Sequence, residues 1–228
     1  MAEMQPIAHI HTDFPTKFGI PRQSGLIAEL RAQIYFEPAY RIPEAFRGLE
    51  GYSHLWLLWE FSESICDRWS PTVKPPRLGG NKRMGVFATR SPFRPNPIGL
   101  SCVRLEEVAL YTPEGPILYV SGADLMDGTP IYDIKPYLPY ADCVADAVGG
   151  FADQVKDYGL QVEFPIELLD LIPVEKRAAL MGVLEQDPRP GYRHEEGRMF
   201  GVEFAGFDVR FTVSEGILTV REIEKLGD

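Results

Sequence analysis

The chain has 228 residues, 45% of them hydrophobic, with 33 acidic against 23 basic side chains and a net charge of −10. That is enough apolar material for one large core, or for a main core with a small appendage. No apolar run approaches the roughly 18 residues of a membrane span, and the first residues, with Glu3, His9, His11 and Asp13, lack the apolar stretch of a secretion signal, so a cytoplasmic protein is expected. Cys66, Cys102 and Cys143 are odd in number and without CxxC spacing. They are expected to be reduced, buried and inert rather than part of a disulfide framework or a zinc site.

Short apolar stretches bounded by Gly, Pro and Asp predict strands at residues 7–11, 31–36, 54–61, 84–88, 98–110, 116–123 and 130–137. Residues 43–51 suit a helical turn, with Pro43 near its start and Gly51 past its end. No long amphipathic helix follows any of these strands, which argues against a doubly wound parallel sheet. Closure into a barrel is the economical way to remove exposed strand edges. Beyond Gly149-Gly150 the pattern changes: residues 165–172 and 174–186 have helical spacing, and 200–204 and 207–213 read as a strand pair turning at Ala205-Gly206. The expected fold is mainly β, a closed β-barrel over residues 1–148 followed by a small α+β unit over 149–228.

Charge is unevenly distributed. Residues 68–104 hold eight cations (Arg68, Lys74, Arg77, Lys82, Arg83, Arg90, Arg94, Arg104) and no Asp or Glu. The remaining 15 basic and 33 acidic residues therefore carry −18. Pro71, Pro75, Pro76, Pro92, Pro95 and Pro97 stiffen the same segment, so a polyanion is its natural ligand. Arg90 and Arg94, four residues apart around Ser91-Pro92-Phe93, can clamp a carboxylate or phosphate, and Phe93 can stack on a base. A solvated basic loop with an aromatic plug is the plain alternative.

A second cluster lies at residues 124–142, where Asp124, Asp127, Asp133 and Asp142 surround Lys135 and the tyrosines Tyr132, Tyr137 and Tyr140. Strand periodicity puts Ile131, Asp133 and Lys135 on one face, an acid and an amine side by side. Asp127-Gly128 also reads as a turn, and Lys135 as a surface ion-pair partner. His9 and His11 share a strand face but have no third ligand at metal spacing, so no metal is expected. His54, within an apolar run, reads as a core histidine. GxSxG, Walker, HExxH and GxGxxG motifs are absent. On the residues alone the chain is an anion-binding barrel.

Several blocks carry a resemblance: residues 17–23 (KFGIPRQ), 48–57 (GLEGYSHLWL), 69–80 (WSPTVKPPRLGG), 83–100 (RMGVFATRSPFRPNPIGL), 124–139 (DLMDGTPIYDIKPYLP) and 186–193 (QDPRPGYR). In this order they resemble the TsaA/YaeB-like family, and the last block its bacterial two-domain tRNA methyltransferases. The resemblance implies a barrel that binds S-adenosyl-L-methionine without a Rossmann fold and works as a homodimer, with the cofactor near the subunit interface. It implies cofactor contacts at Pro21, Arg22, Gln23, His54, Leu55, Arg90, Leu100, Asp124, Leu125, Met126 and Asp127. The implied substrate is N6-threonylcarbamoyladenosine beside the anticodon of tRNA, methylated on its exocyclic nitrogen. Asp133, Lys135 and Tyr137 are the expected catalytic residues, with Asp133 accepting or orienting the proton and Lys135 meeting the carbonyl or the threonyl carboxylate. Lys74, Arg77, Lys82, Arg83 and Arg94 are the expected contacts to the anticodon stem-loop. Two alternatives stay open: a methyltransferase acting on another RNA or a small anion, and a non-enzymatic RNA-binding barrel.

Overall fold

A computed structural model describes residues 4–66, 68–78, 82–190, 195 and 197–227. Gly79, Gly80 and residues 191–193 of the matched blocks, together with His194, lie outside the described residues, as does the side chain of Arg77. Six strands close into an antiparallel barrel: β1 (Ala8–His11), β2 (Arg31–Phe36), β3 (His54–Glu60), β6 (Ile98–Ala109), β7 (Ile117–Ser121) and β8 (Thr129–Pro136), in the order β1-β2-β7-β6-β3-β8. Alternation decides what each strand buries. β3 sends Leu55, Leu57 and Trp59 inward and His54, Trp56, Leu58 and Glu60 outward. Ala8, Ile10, Ile34, Leu118 and Ile131 complete the barrel core.

The strand expected at residues 84–88 is much shorter. β5 (Met84–Gly85) pairs only with β4 (Thr72–Val73), as a ladder outside the barrel. Val86–Ala88 then turns as a 3-10 helix that buries Val86. Residues 43–51 form two 3-10 turns, Pro43–Phe46 and Leu49–Gly51.

After residue 150 come β9 (Gln161–Glu163), helices Ile166–Leu169 and Val174–Glu185, and β10 (Phe200–Phe204), β11 (Phe207–Ser214) and β12 (Ile217–Lys225). The expected strand pair is part of a four-stranded sheet, β10-β11-β12-β9, whose last pairing is parallel. β9 escapes a reading by pattern because three residues show no period. β12 escapes because Arg221, Glu222 and Glu224 make its second half polar. Both hairpins turn over two residues with positive φ, Ala205-Gly206 and Glu215-Gly216, the twist that matches flanking strands.

The second core is not confined to the end of the chain. Phe14, Ile27 and Leu30, from the loop between β1 and β2, pack with Leu180, Val183, Phe204 and Phe211. Lys176 Nζ adds a 2.6 Å ion pair to Asp13 in the same loop. That loop carries the block 17–23, so packing against the second core holds it between two barrel strands.

None of the three cysteines is buried: Cys66 and Cys143 are exposed and Cys102 is half-buried. The first two stand in loops and the third on the outward face of β6, where burial in the barrel core is geometrically closed to them. Among the described residues no helix is long and apolar enough to cross a membrane, and no group of three or more His, Cys, Asp or Glu could hold a metal ion.

Candidate active site

The barrel register builds an outer wall from β6, β3 and β8. Leu58 stands between Leu100 and Asp133, and Trp56 between Cys102 and Lys135. His54 lies opposite Arg104, and its carbonyl accepts the N–H of Tyr137 at 2.9 Å. Directly paired residues share a face, so His54, Leu100, Asp133, Lys135 and Tyr137 share one wall. Two strand spacings, about 10 Å, separate Leu100 from Asp133.

One expectation needs correction. Trp59 pairs with Ile131 while Leu58 pairs with Asp133, so Tyr132 is bulged out of the ladder. A bulge inserts one residue and reverses the alternation. Ile131 therefore points into the core, while Asp133 and Lys135 point outward; the three do not share a face. Lys135 Nζ lies 2.7 Å from Asp133 Oδ2, with the side chains 61% and 46% exposed. Asp133 Oδ1 also accepts the Ile134 N–H at 2.9 Å, which fixes the carboxylate. The pair sits on an open wall rather than in a closed cleft.

Around the pair, the Tyr137 ring leans on Trp56 and His54, at 5.7 and 6.2 Å between centroids. Trp56 Nε1 donates to Asp142 Oδ2 at 3.0 Å, and the Leu138 N–H donates to the same oxygen at 2.8 Å. Loss of solvation first, then the neighbouring Cys143, Cys102 and Asp142, push the Tyr137 phenol above its ordinary range. Tyr137 thus remains a hydroxyl donor at neutral pH. His54 is not a core residue: it is half-buried on the wall, with Nδ1 2.9 Å from Ser53 Oγ.

A second set of groups meets at the edge of β6 that β7 leaves open. Gly25 N–H donates to Gly122 O at 2.8 Å, and both glycines have positive φ, +77° and +76°. A Cβ on Gly122 would stand 3.3 Å from the Gly25 Cα, so this backbone contact requires glycine. It pins Ser24 beside Asp124. Ser24 Oγ accepts the Cys102 N–H at 3.0 Å, which joins this edge to the wall. Ser101, fully buried, donates to Asp124 Oδ1 at 2.5 Å and accepts Trp59 Nε1–H at 2.9 Å. Burial pushes the Asp124 carboxyl up. Hydrogen bonds from Ser101 and the Ser24 N–H, together with the Arg90 charge, offset this only in part. Arg90 Nη1 donates to Gln23 Oε1 at 2.5 Å, and Gln23 Nε2 donates to the Arg22 carbonyl. Gln23, Arg90 and Asp124, far apart in sequence, converge here.

Other expected residues are placed differently. The side chains of Leu55 and Leu125 are fully buried in the barrel core. The Met126 carbonyl closes the turn to Thr129, at 2.7 Å from Oγ1. Asp127 Oδ1 accepts the Thr12 N–H at 3.0 Å and lies 3.1 Å from His11 Nδ1, so its carboxylate fastens the end of β1, in line with its turn reading. Pro21 and Arg22 line a cavity of about 290 Å³ with Lys17, Gln186, Asp187 and Arg189, so the first and last matched blocks are neighbours. In the basic segment Lys74 and Lys82 are exposed, Arg83 Nη1 donates to Thr72 Oγ1 at 2.8 Å, and Arg94 Nη1 donates to the Thr89 and Ser91 carbonyls at 3.1 and 3.4 Å. Arg94 thereby braces its own loop. Ser24, Ser101 and Trp59 escaped the sequence reading; Ser24 directly follows Gln23, and Ser101 follows Leu100, so each lay one residue beyond a matched block.

A closed antiparallel barrel with a half-buried, undercompensated carboxylate, an arginine at its edge and an acid–amine pair on its wall has the groups of a small-molecule-binding scaffold outside the Rossmann class. Its relatives are more specific. Residues 9–143 match the tRNA-methyltransferase O N-terminal domain and residues 157–226 the TrmO C-terminal domain. The chain is 42% identical to the tRNA (adenine(37)-N6)-methyltransferase of Escherichia coli strain K12 over 230 residues, 97% of each chain. It is 42% identical, over 91% of each chain, to a putative S-adenosylmethionine-dependent methyltransferase, RcsF, of Pseudomonas aeruginosa. A crystal structure of TrmO from P. aeruginosa superposes with a TM-score of 0.78 at 36% identity, covering 99% of this chain and 97% of that one. The chain belongs to the tRNA-methyltransferase O family.

Proposed function

We propose that this S-adenosylmethionine-dependent tRNA methyltransferase acts on N6-threonylcarbamoyladenosine beside the anticodon, as a homodimer in the cytoplasm. The observation that carries the reading is the fixed Asp133–Lys135 pair on the same wall as His54, Leu100 and Tyr137. Its donor set fits the cofactor. Asp124, short of positive partners, suits the sulfonium or ammonium or the ribose hydroxyls; Arg90 with Gln23 suits the carboxylate; Leu100 offers a face for the adenine. When bound, S-adenosylmethionine supplies an electrophilic methyl group.

The remaining work falls to the chain. The target nitrogen lies between a purine ring and a carbonyl, so its lone pair is delocalised and its proton must leave with assistance. Asp133 accepts that proton, held in place by the Ile134 N–H. Lys135, beside it, stabilises negative charge on the carbonyl or meets the threonyl carboxylate, and the Tyr137 hydroxyl donates to the same substrate edge. No covalent nucleophile is needed, because alignment alone supplies on the order of 7–11 kcal/mol in well-oriented reactions. Trp56, Leu58 and the half-exposed Leu100 form an apolar wall that a second copy covers, which excludes water from the acid–amine pair. Lys74, Arg77, Lys82, Arg83 and Arg94 supply the cations that meet the phosphates of the stem-loop, while the acidic remainder repels RNA elsewhere.

Asp133→Asn is expected to lower single-turnover methyl transfer by about 10²–10⁴-fold with cofactor affinity retained. Nucleoside mass spectrometry of threonylcarbamoylated tRNA, incubated with the protein and labelled S-adenosylmethionine, reads the transfer, and cofactor titration reads the affinity. A normal rate in the variant removes Asp133 from the proton transfer. Label on an unmodified adenosine would change the substrate and leave the enzyme class standing. Replacing Lys74, Arg77 and Arg83 together by Ala is expected to reduce the salt slope of tRNA binding by about 2–3.

A further inference from the structure

Three aromatic rings in the acid-free segment are left in water, Phe93 at 48% exposure and two others that meet each other. Phe87 is 75% exposed and Trp69 49% exposed. Their centroids are 6.1 Å apart with the planes inclined by 32°. Burying a ring of this size is worth about 1.5–3 kcal/mol, so an aromatic pair kept outside both cores contributes little to the fold.

The pair is nevertheless held firmly. Thr72 pairs with Gly85 and Val73 with Met84, and the Val86 N–H donates to Pro71 O at 3.0 Å, which extends the ladder by one step. Trp69 and Phe87 stand just past that end. Val86, next to Phe87, is buried, Thr89 Oγ1 donates to Val86 O at 2.9 Å, Ser70 Oγ donates to Thr72 O at 2.8 Å, and Arg83 braces Thr72. The backbone beneath the rings is thus fixed and each ring leans on the other, which lowers the ordering cost when they are covered.

We propose that Trp69 and Phe87 form a stacking platform for an unpaired base of the RNA substrate, next to the nucleotide that is methylated. Charge selects this occupant. Arg68, Lys74, Lys82 and Arg83 flank the rings along a stretch of 37 residues without one carboxylate, in a chain of net charge −10. A second copy meeting this patch symmetrically would set those cations against themselves, whereas an RNA loop brings phosphates and flat π-faces together. The platform is close to the site: Phe87 precedes Arg90 by three residues, at most about 10 Å of chain. The proposal rests on the reading of the chain as an enzyme acting within an RNA loop.

The test uses the full chain and an anticodon stem-loop RNA with 2-aminopurine replacing one loop base. Binding is expected to quench 2-aminopurine emission. Phe87→Ala and Trp69→Ala are each expected to weaken RNA affinity about 5- to 150-fold, the equivalent of roughly 1–3 kcal/mol per stacked base. Phe87→Leu should behave like the alanine variant and Phe87→Tyr like the parent, with S-adenosylmethionine affinity unchanged throughout. RNA affinity within twofold of the parent in Phe87→Ala overturns the proposal. So does loss of the dimer in that variant by sedimentation, which would assign the rings to a second copy. Methyl transfer by the unaltered chain is measured separately. Its absence would defeat the substrate reading without touching the RNA-binding result.

Discussion

Asp124 and Asp187 are both carboxylates withdrawn from water, and their surroundings drive them in opposite directions. Burial pushes both up. At Asp187 a bidentate Arg189, with Nε at 2.8 Å and Nη2 at 2.9 Å, and the Tyr158 hydroxyl at 2.6 Å outweigh it and hold the carboxyl below its usual range. At Asp124 three neutral donors, the Ser101 hydroxyl and the N–H groups of Asp124 and Ser24, and one arginine that is also bonded to Gln23 do not, and the carboxyl stays raised. The first is a finished ion pair bracing a loop. The second is a carboxylate short of positive charge, which suits the cation-binding role proposed for it.

The largest effect expected from this comparison is at Asp187. Asp187→Asn keeps a residue that tolerates the local φ of +56° but leaves Arg189 buried without its counter-charge. Breaking a buried pair on one side costs about 3–5 kcal/mol, to be read as a shift of the urea midpoint. The pH dependence follows from the depressed carboxyl. Its contribution is fully present above the unfolded value near 3.9 and is lost as pH falls through the folded value. The variant should therefore lack that leg of the acid transition. If Asp187→Asn melts like the parent at neutral pH, the ion pair is not what braces the loop.

A smaller loss is expected at Gly99, directly opposite Trp59. A Cβ there would stand 2.2 Å from the indole, so the glycine makes the room that lets Trp59 Nε1 reach Ser101. Gly99→Ala should cost about 1–3 kcal/mol as an overpacked core, and should also shift Trp59 away from the Ser101–Asp124 hydrogen bond. Urea unfolding followed by cofactor titration separates the two. A fully active variant with a lowered midpoint would show that Trp59 supports the barrel but not the site.

The contrast also explains what could be read from the sequence. Barrel strands were legible as short apolar stretches bounded by Gly, Pro and Asp, and the pair about Ala205-Gly206 because half-buried strands alternate with period two. The Asp133–Lys135 pairing was legible for the same reason, but its face was assigned with the wrong neighbour. A bulge at Tyr132 is a property of the pairing with β3 and leaves no mark on one strand alone. The bonds that gather the second set of groups, Ser24 to Cys102 and Ser101 to Asp124, likewise span 78 and 23 residues of chain. Local pattern holds no information about them; the matched blocks did, and stopped one residue short twice.

The smallest and most diagnostic change is Asp124→Asn. Below about pH 3.9 both folded and unfolded chains carry a protonated Asp124, and the residue costs nothing. As pH rises from there to the raised folded value, the unfolded chain releases its proton first and stability falls; above that value the whole cost remains. The substitution removes this cost while the amide oxygen still accepts from Ser101, so the free protein should melt slightly higher at neutral pH and unchanged near pH 3. Cofactor binding should move the other way. With Asp124 in its proposed role, losing the charge weakens binding by about 10- to 150-fold, the equivalent of roughly 1.5–3 kcal/mol. Parent affinity should rise with pH across the window in which Asp124 ionises, because a bound cation draws the proton off, and the variant should show no such rise. A variant that melts lower and binds as tightly as the parent would mean that Asp124, like Asp187, is simply part of the frame.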